Sequence, residues 1–191
     1  MPLTTPIILT LIRIGLIPVL VVFFYIPYSW SNLASVIVFV LAAITDWLDG
    51  YIARKTGQLT SFGAFLDPVA DKLMVATALV LLIQQNPKVV FALASAIIIG
   101  REIAVSALRE WMAELGESGL VSVSIVGKLK TIFQMVAISL LLYREDIAVI
   151  PISFIGELLL YLAAGLTLWS MWVYLHAAWP VMSKHGKPGS S

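Results

Sequence analysis

Cysteine is absent from the 191 residues, which excludes disulfides and every thiolate metal site. Histidine is scarce: there are 2, and His176 and His185 lack metal-ligand spacing with each other. Charge is scarce too, at 12% of residues, where a soluble domain carries about a quarter. With a net charge of +1 and no soluble basic surface, nucleic-acid binding has no support. The first apolar stretch has no basic leader and no small-residue cleavage site, and Arg13 interrupts it, so a cleavable signal is not expected. No internal repeat, low-complexity segment or soluble module is seen.

Apolar residues fill the gap, at 60% of the chain with a mean hydropathy of +0.98. That composition belongs to an integral membrane protein. A span needs about 20 predominantly apolar residues. By that measure the chain predicts an all-α bundle of six transmembrane helices, at about 6–27, 32–54, 63–84, 88–115, 126–144 and 149–178. Residues 1–191 form one domain, with a flexible tail from about 180. Of the 12 Lys and Arg, only Lys88 and Arg144 fall on one side of the expected bundle; the rest fall on the other. Basic loops stay cytoplasmic, so both termini should face the cytoplasm, most simply across a bacterial inner membrane.

Against this apolar background the stretch 46–72, DWLDGYIARKTGQLTSFGAFLDPVADK, stands apart. Asp46, Asp49, Gly50 and Ala53 share one face of a helix, and Asp67 and Asp71 share one face of another. Four like charges near a membrane repel and are costly to desolvate. Something positive must sit among them, and hard divalent cations with oxygen ligands, Mg²⁺ or Mn²⁺, are the obvious candidates. Two carboxylate pairs can hold two ions about 3.5–4 Å apart and clamp a pyrophosphate. Gly50 and Gly63 give a ligand access to the backbone. Arg54, one turn after Gly50, can grip a phosphate bidentately, or simply anchor at the interface beside Lys55. The chemistry suggested is phosphoryl-type transfer from a pyrophosphate donor to an alcohol, with one carboxylate free to take the alcohol's proton. A small ion or proton transporter is the competing reading. It would place acids through the depth of the bundle and interrupt helices in matching positions, and neither is seen.

The pattern Asp46-x2-Asp49-Gly50-x2-Ala53-Arg54-x8-Gly63-x3-Asp67-x3-Asp71 resembles the signature of the CDP-alcohol phosphotransferases at all eight fixed positions. The resemblance extends over essentially the whole chain. It implies a membrane enzyme that cleaves a CDP-linked donor, releases CMP and forms a phosphodiester with an alcohol. It implies further that Asp46, Asp49 and Asp67 are metal ligands, and that Asp71 is the general base and also touches metal. Gly50, Arg54 and Thr60 are then expected near the CDP group, with Ala53 and Gly63 leaving room for it. Thr5, Pro6, Ile8 and Thr10 resemble the start of the first helix that borders the nucleotide. Many members have asparagine just after that proline, where this chain has Ile7.

The acceptor is read from cations further on. Arg101, Lys128 and Lys130, converging on the cleft, would bind an acceptor that carries its own phosphate; Arg109 is either a fourth member or a solvated face. The segments GREIAVSALREWMAELG and GKLKTIFQM resemble the phosphatidylglycerophosphate synthase branch. That implies CDP-diacylglycerol as donor, sn-glycerol 3-phosphate as acceptor, membrane lipid as surroundings and a homodimer as assembly. Inositol phosphate and serine are the other acceptors of the same chemistry. Gln134 and Glu157 should serve contacts between helices, and Trp47 should point away from the acidic face.

Overall fold

The computed structural model describes residues 5–56, 61–115, 125–146 and 150–185, and the six expected helices are all there. They are α1 (Thr5–Tyr25), α2 (Trp30–Thr56), α3 (Ser61–Gln85), α4 (Val89–Glu114), α5 (Ile125–Tyr143) and α6 (Ile152–His185). Prolines mark the breaks: Pro27 follows α1, Pro87 separates α3 from α4, and Pro151 precedes α6. Each lacks the N–H that a continuing helix would use. α6 runs past its expected end at 178 to His185, continuing through Pro180.

Four of the helices, α1, α2, α4 and α6, are long and apolar enough by themselves to cross a membrane. α5 contributes a shorter apolar stretch, Leu129–Tyr143, and α3 carries Asp67, Asp71 and Lys72 in its first half. Both weaker spans carry charged side chains near their starts, Asp67, Asp71 and Lys72 on α3 and Lys130 on α5. α1 packs against α2 and α3, α5 against α2 and α6, and α4 against α3 and α6.

The core is built from Leu20, Phe39, Leu79, Phe91, Ile138 and Leu160, all essentially inaccessible. Buried alanines, among them Ala42, Ala78, Ala137 and Ala163, let the helix backbones come close. Gly156 does the same between α5 and α6, where a Cβ would lie 2.8 Å from Leu141 Cγ. The outer surface is apolar as well: Val22, Val80, Phe154, Trp172 and Trp179 all point outward. An outside as hydrophobic as the inside is what a lipid solvent permits and water does not.

Candidate active site

Thr10 and Arg13 lie one turn apart on the inward face of α1. Asp46 and Asp49 lie one turn apart near the end of α2, and Asp67 and Asp71 near the start of α3. Because α1 packs on both neighbours, its polar face meets both acidic pairs. Arg13, 1% exposed, donates through Nη2 to Asp49 Oδ2, and its Nη1 lies 2.9 Å from Asp46 Oδ1 as an ion pair without hydrogen-bond alignment. Thr10 donates its hydroxyl to Asp67 Oδ1. The four carboxylates act on one another electrostatically: Asp67 on Asp46 and Asp49, and Asp46 on Asp71.

The expected positive charge therefore has a protein component, a guanidinium that sequence reasoning counted only as a cytoplasmic-side cation. Arg13 spans Asp46 and Asp49, and among the described residues no three acidic or histidine side chains close on one point as a ready ion cage. The donor chemistry nevertheless fits a hard divalent cation: the side chains of Asp46, Asp49 and Asp67, with the Thr10 hydroxyl, offer only oxygen, and the cation among them is Arg13, paired with Asp46 and Asp49. Burial is uneven. The Asp49 side chain is 3% exposed and that of Asp46 45%, so one acid is locked inside while the other opens toward solvent.

A second polar network begins at Asp71. Glu102 on α4 acts on it electrostatically, as does Lys72. Glu102 accepts from Lys130 of α5 and lies 3.5 Å from Arg101 Nη1. Arg101 also donates to Ser170 Oγ at 3.1 Å and sits over the Tyr174 ring, 5.4 Å from its centroid. Arg109 stands over the same ring at 5.8 Å. Lys72 donates to Ser106. Both Lys72 and Glu102 border a cavity of about 210 Å³ between α3 and α4. Arg101 and Lys130 are thus brought together, both buried and bridged by Glu102.

The family model of the CDP-alcohol phosphatidyltransferases matches residues 3–173. The chain belongs to the CDP-alcohol phosphatidyltransferase family. It is 53% identical over 173 residues to a CDP-diacylglycerol–glycerol-3-phosphate 3-phosphatidyltransferase of Salmonella choleraesuis, covering 91% of this chain and 93% of that one. A protein of the same name from Sodalis glossinidius is 53% identical over 178 residues, covering 93% and 96%. One from Shigella flexneri serotype 5b is 52% identical over 173 residues, covering 91% and 93%.

Seen as a family member, the chain brings Thr10, Asp46, Asp49, Asp67 and Asp71 together with Arg13 at one end of the bundle. Gly63 is buried beside them and Gly50 half-buried. Thr5 and Ile8 are exposed, and Ile8 lies on the far side of α1 from Arg13, so this face of the helix start is not gathered into the acidic cluster. Thr60 lies outside the described residues, as do the side chains of Pro6, Ala53, Arg54 and Lys128. Trp47 points outward, stacked on Tyr51 with centroids 5.9 Å apart, as its helical position predicts. Sequence reasoning missed the roles of Arg13, Glu102 and Ser106. The one-turn spacing of Thr10 and Arg13 in an otherwise apolar helix was the available signal for the first.

Proposed function

We propose that this protein transfers the phosphatidyl group of CDP-diacylglycerol to the primary hydroxyl of sn-glycerol 3-phosphate, giving phosphatidylglycerol phosphate and CMP. The observation that carries the reading is the join between two clusters: the acidic pairs of α2 and α3 meet the cations of α4 and α5 at Asp71 and Glu102. A donor pyrophosphate belongs with the first cluster and an acceptor phosphate with the second. The relatives named for this reaction, similar over nine-tenths of the chain, support it.

In the reaction the acceptor oxygen attacks the phosphatidyl phosphorus, and the bond from that phosphorus to the oxygen of CMP breaks. Asp71 takes the proton of the attacking hydroxyl, from a position between the two clusters. Arg101 and Lys130 hold the acceptor's phosphate and so fix the distance of its hydroxyl from Asp71. Arg109 and Lys128 belong to the same basic side. Asp46, Asp49, Asp67 and Asp71 would hold one or two divalent ions, Mg²⁺ or Mn²⁺, with Thr10 and Arg13 setting their carboxylates. When bound, the ions supply neutralisation of charge on the pyrophosphate and on the departing CMP. Gly50, Ala53, Arg54, Thr60 and Gly63 border the nucleotide, with Thr5, Pro6 and Ile8 at its edge.

The diacyl donor stays in the bilayer, so it enters sideways between helices. The excess of Lys and Arg toward this end supports a site on the cytoplasmic side of an inner membrane, and we propose a homodimer as the working unit, which chemical crosslinking in native membranes checks. The deciding assay supplies purified protein with CDP-diacylglycerol, Mg²⁺ and glycerol 3-phosphate. CMP release that depends on glycerol 3-phosphate is expected. Equal release with serine or inositol phosphate would overturn the acceptor, and no release with any of the three would overturn the enzyme.

A further inference from the structure

The opposite end of the bundle holds a second set of cations that the reaction does not use. α5 stops at Tyr143, and Arg144 takes φ 67°, a left-handed conformation that glycine ordinarily supplies after a helix. From there its side chain turns back over α1. The guanidinium carbon lies 3.8 Å from the Phe24 ring centroid, and Nη2 donates to the Phe24 carbonyl at 3.3 Å. Nε is buried with no acceptor, and among the described residues no carboxylate forms an ion pair with Arg144.

Two cavities flank this side chain. One, of about 250 Å³, is bordered by Gln85, Asn86, Lys88, Arg144, Ser153 and Glu157. The other, of about 310 Å³, is bordered by Tyr25, Gln84, Gln85 and Arg144 among others. Among the described residues Glu157 is the one acid on either wall, and it is engaged: Asn86 donates to it at 2.6 Å, Lys88 at 2.9 Å and Tyr161 at 3.3 Å. Glu145 and Asp146 follow Arg144 in the chain but are engaged elsewhere, accepting from Asn32 Nδ2 at 3.0 Å and from the Ser153 N–H at 3.2 Å, so the Arg144 guanidinium has no acidic partner among the described residues and can take a single negative charge. A phosphodiester carries one, and an arginine fork is the side chain best shaped to grip it. Tyr25, Tyr28 and Trp30 are exposed at the same end, where such rings mark the depth of lipid headgroups.

We propose that the Arg144–Lys88 pocket binds the phosphate of an anionic phospholipid headgroup, in the leaflet away from the aspartates. Arginine then stands at a left-handed position because its guanidinium is needed over Phe24, between the two cavities.

The test follows the thermal unfolding of the full chain in neutral detergent, titrated with phosphatidylglycerol, with phosphatidylcholine, or with inorganic phosphate alone. Phosphatidylglycerol should stabilise at a lower concentration than phosphatidylcholine. Arg144→Gly, which suits the backbone conformation, should raise that concentration about tenfold, as loss of a charge-assisted hydrogen bond would, while CMP release stays at its basal rate. Lys88→Gln, at an exposed position, should shift it in the same direction and stands in if the first variant fails to fold. Identical titrations for the parent and both variants would overturn the site. Stabilisation by inorganic phosphate that needs Arg144, without any preference for phosphatidylglycerol, would overturn the lipid as its source.

Discussion

Replacing Arg13 by alanine tests whether the protein supplies part of the charge that holds its own acidic site together. The side chain is 1% exposed and meets two carboxylates of very different exposure. The pair with Asp46, whose side chain is 45% exposed, is well solvated and contributes about 0–1 kcal/mol. The pair with Asp49, whose side chain is 3% exposed, is another matter, since removing one partner of a buried pair costs about 3–5 kcal/mol by stranding the other charge. The expected loss is therefore about 3–5 kcal/mol, nearly all of it through Asp49. For a chain of this length that lowers the melting temperature by roughly 6–20 °C. Unfolding is followed in detergent with a chelator, and again with excess Mg²⁺. With chelator the full loss should be seen. With Mg²⁺ a large part should return, because a cation among the carboxylates takes over the missing charge. Adding Asp49→Asn to Arg13→Ala should also recover stability in chelator, a coupling that two independent sites would not show. If the two substitutions add, or if Mg²⁺ does nothing for the alanine variant, Arg13 is not the counter-charge and the argument fails.

Three further outcomes follow from the same geometry. Asp71→Asn should keep the fold and, through Asp46, Asp49 and Asp67, most of the divalent-ion binding, read by a largely retained rise in melting temperature with Mg²⁺, while lowering turnover by about 10²–10⁴-fold, the usual worth of a general base; retained turnover would remove that role. Lys130→Ala and Arg101→Ala should each raise the KM for glycerol 3-phosphate by about tenfold and leave that for the CDP donor nearly unchanged, as one lost phosphate contact predicts; steady-state kinetics with each substrate varied separates this from general electrostatics. Gly156→Ala should destabilise by about 1–3 kcal/mol, since its Cβ would meet Leu141 Cγ at 2.8 Å; an unchanged melting temperature would mean that α5 and α6 part easily.

Helix number and approximate position were legible because a membrane asks one crude question of a sequence, whether about 20 residues in a row are apolar enough. Pro27 and Pro87 then helped to place the early breaks, whereas Pro151 falls inside the span expected from 149 and the helix begins just after it, at Ile152. The end of α6 was misjudged for the same reason, since a helix emerging from lipid needs no hydrophobicity to continue, and α6 runs on through Pro180 to His185. The four aspartates were legible because charge is rare here and each one requires a reason. That they would face one another followed from helical spacing within each pair, together with short connections between the helices.

Arg13 shows where such reading stops. A cation counted along the chain reports which side of the membrane a loop prefers, but it does not report which helix faces it. Arg13 interrupts one apolar run and Arg144 ends another, and neither position shows in sequence what the side chain will meet. Packing separates them: α1 lies against α2 and α3, so Arg13 closes on two acids, whereas Arg144 turns over an aromatic ring and meets none. Arg101 and Lys130 repeat the point, since 28 positions separate Lys130 from the glutamate it shares with Arg101. An acidic cluster could be inferred from its own spacing, because repulsion among its members demands a solution. The partner that supplies the solution comes from another helix, and only the fold decides which one.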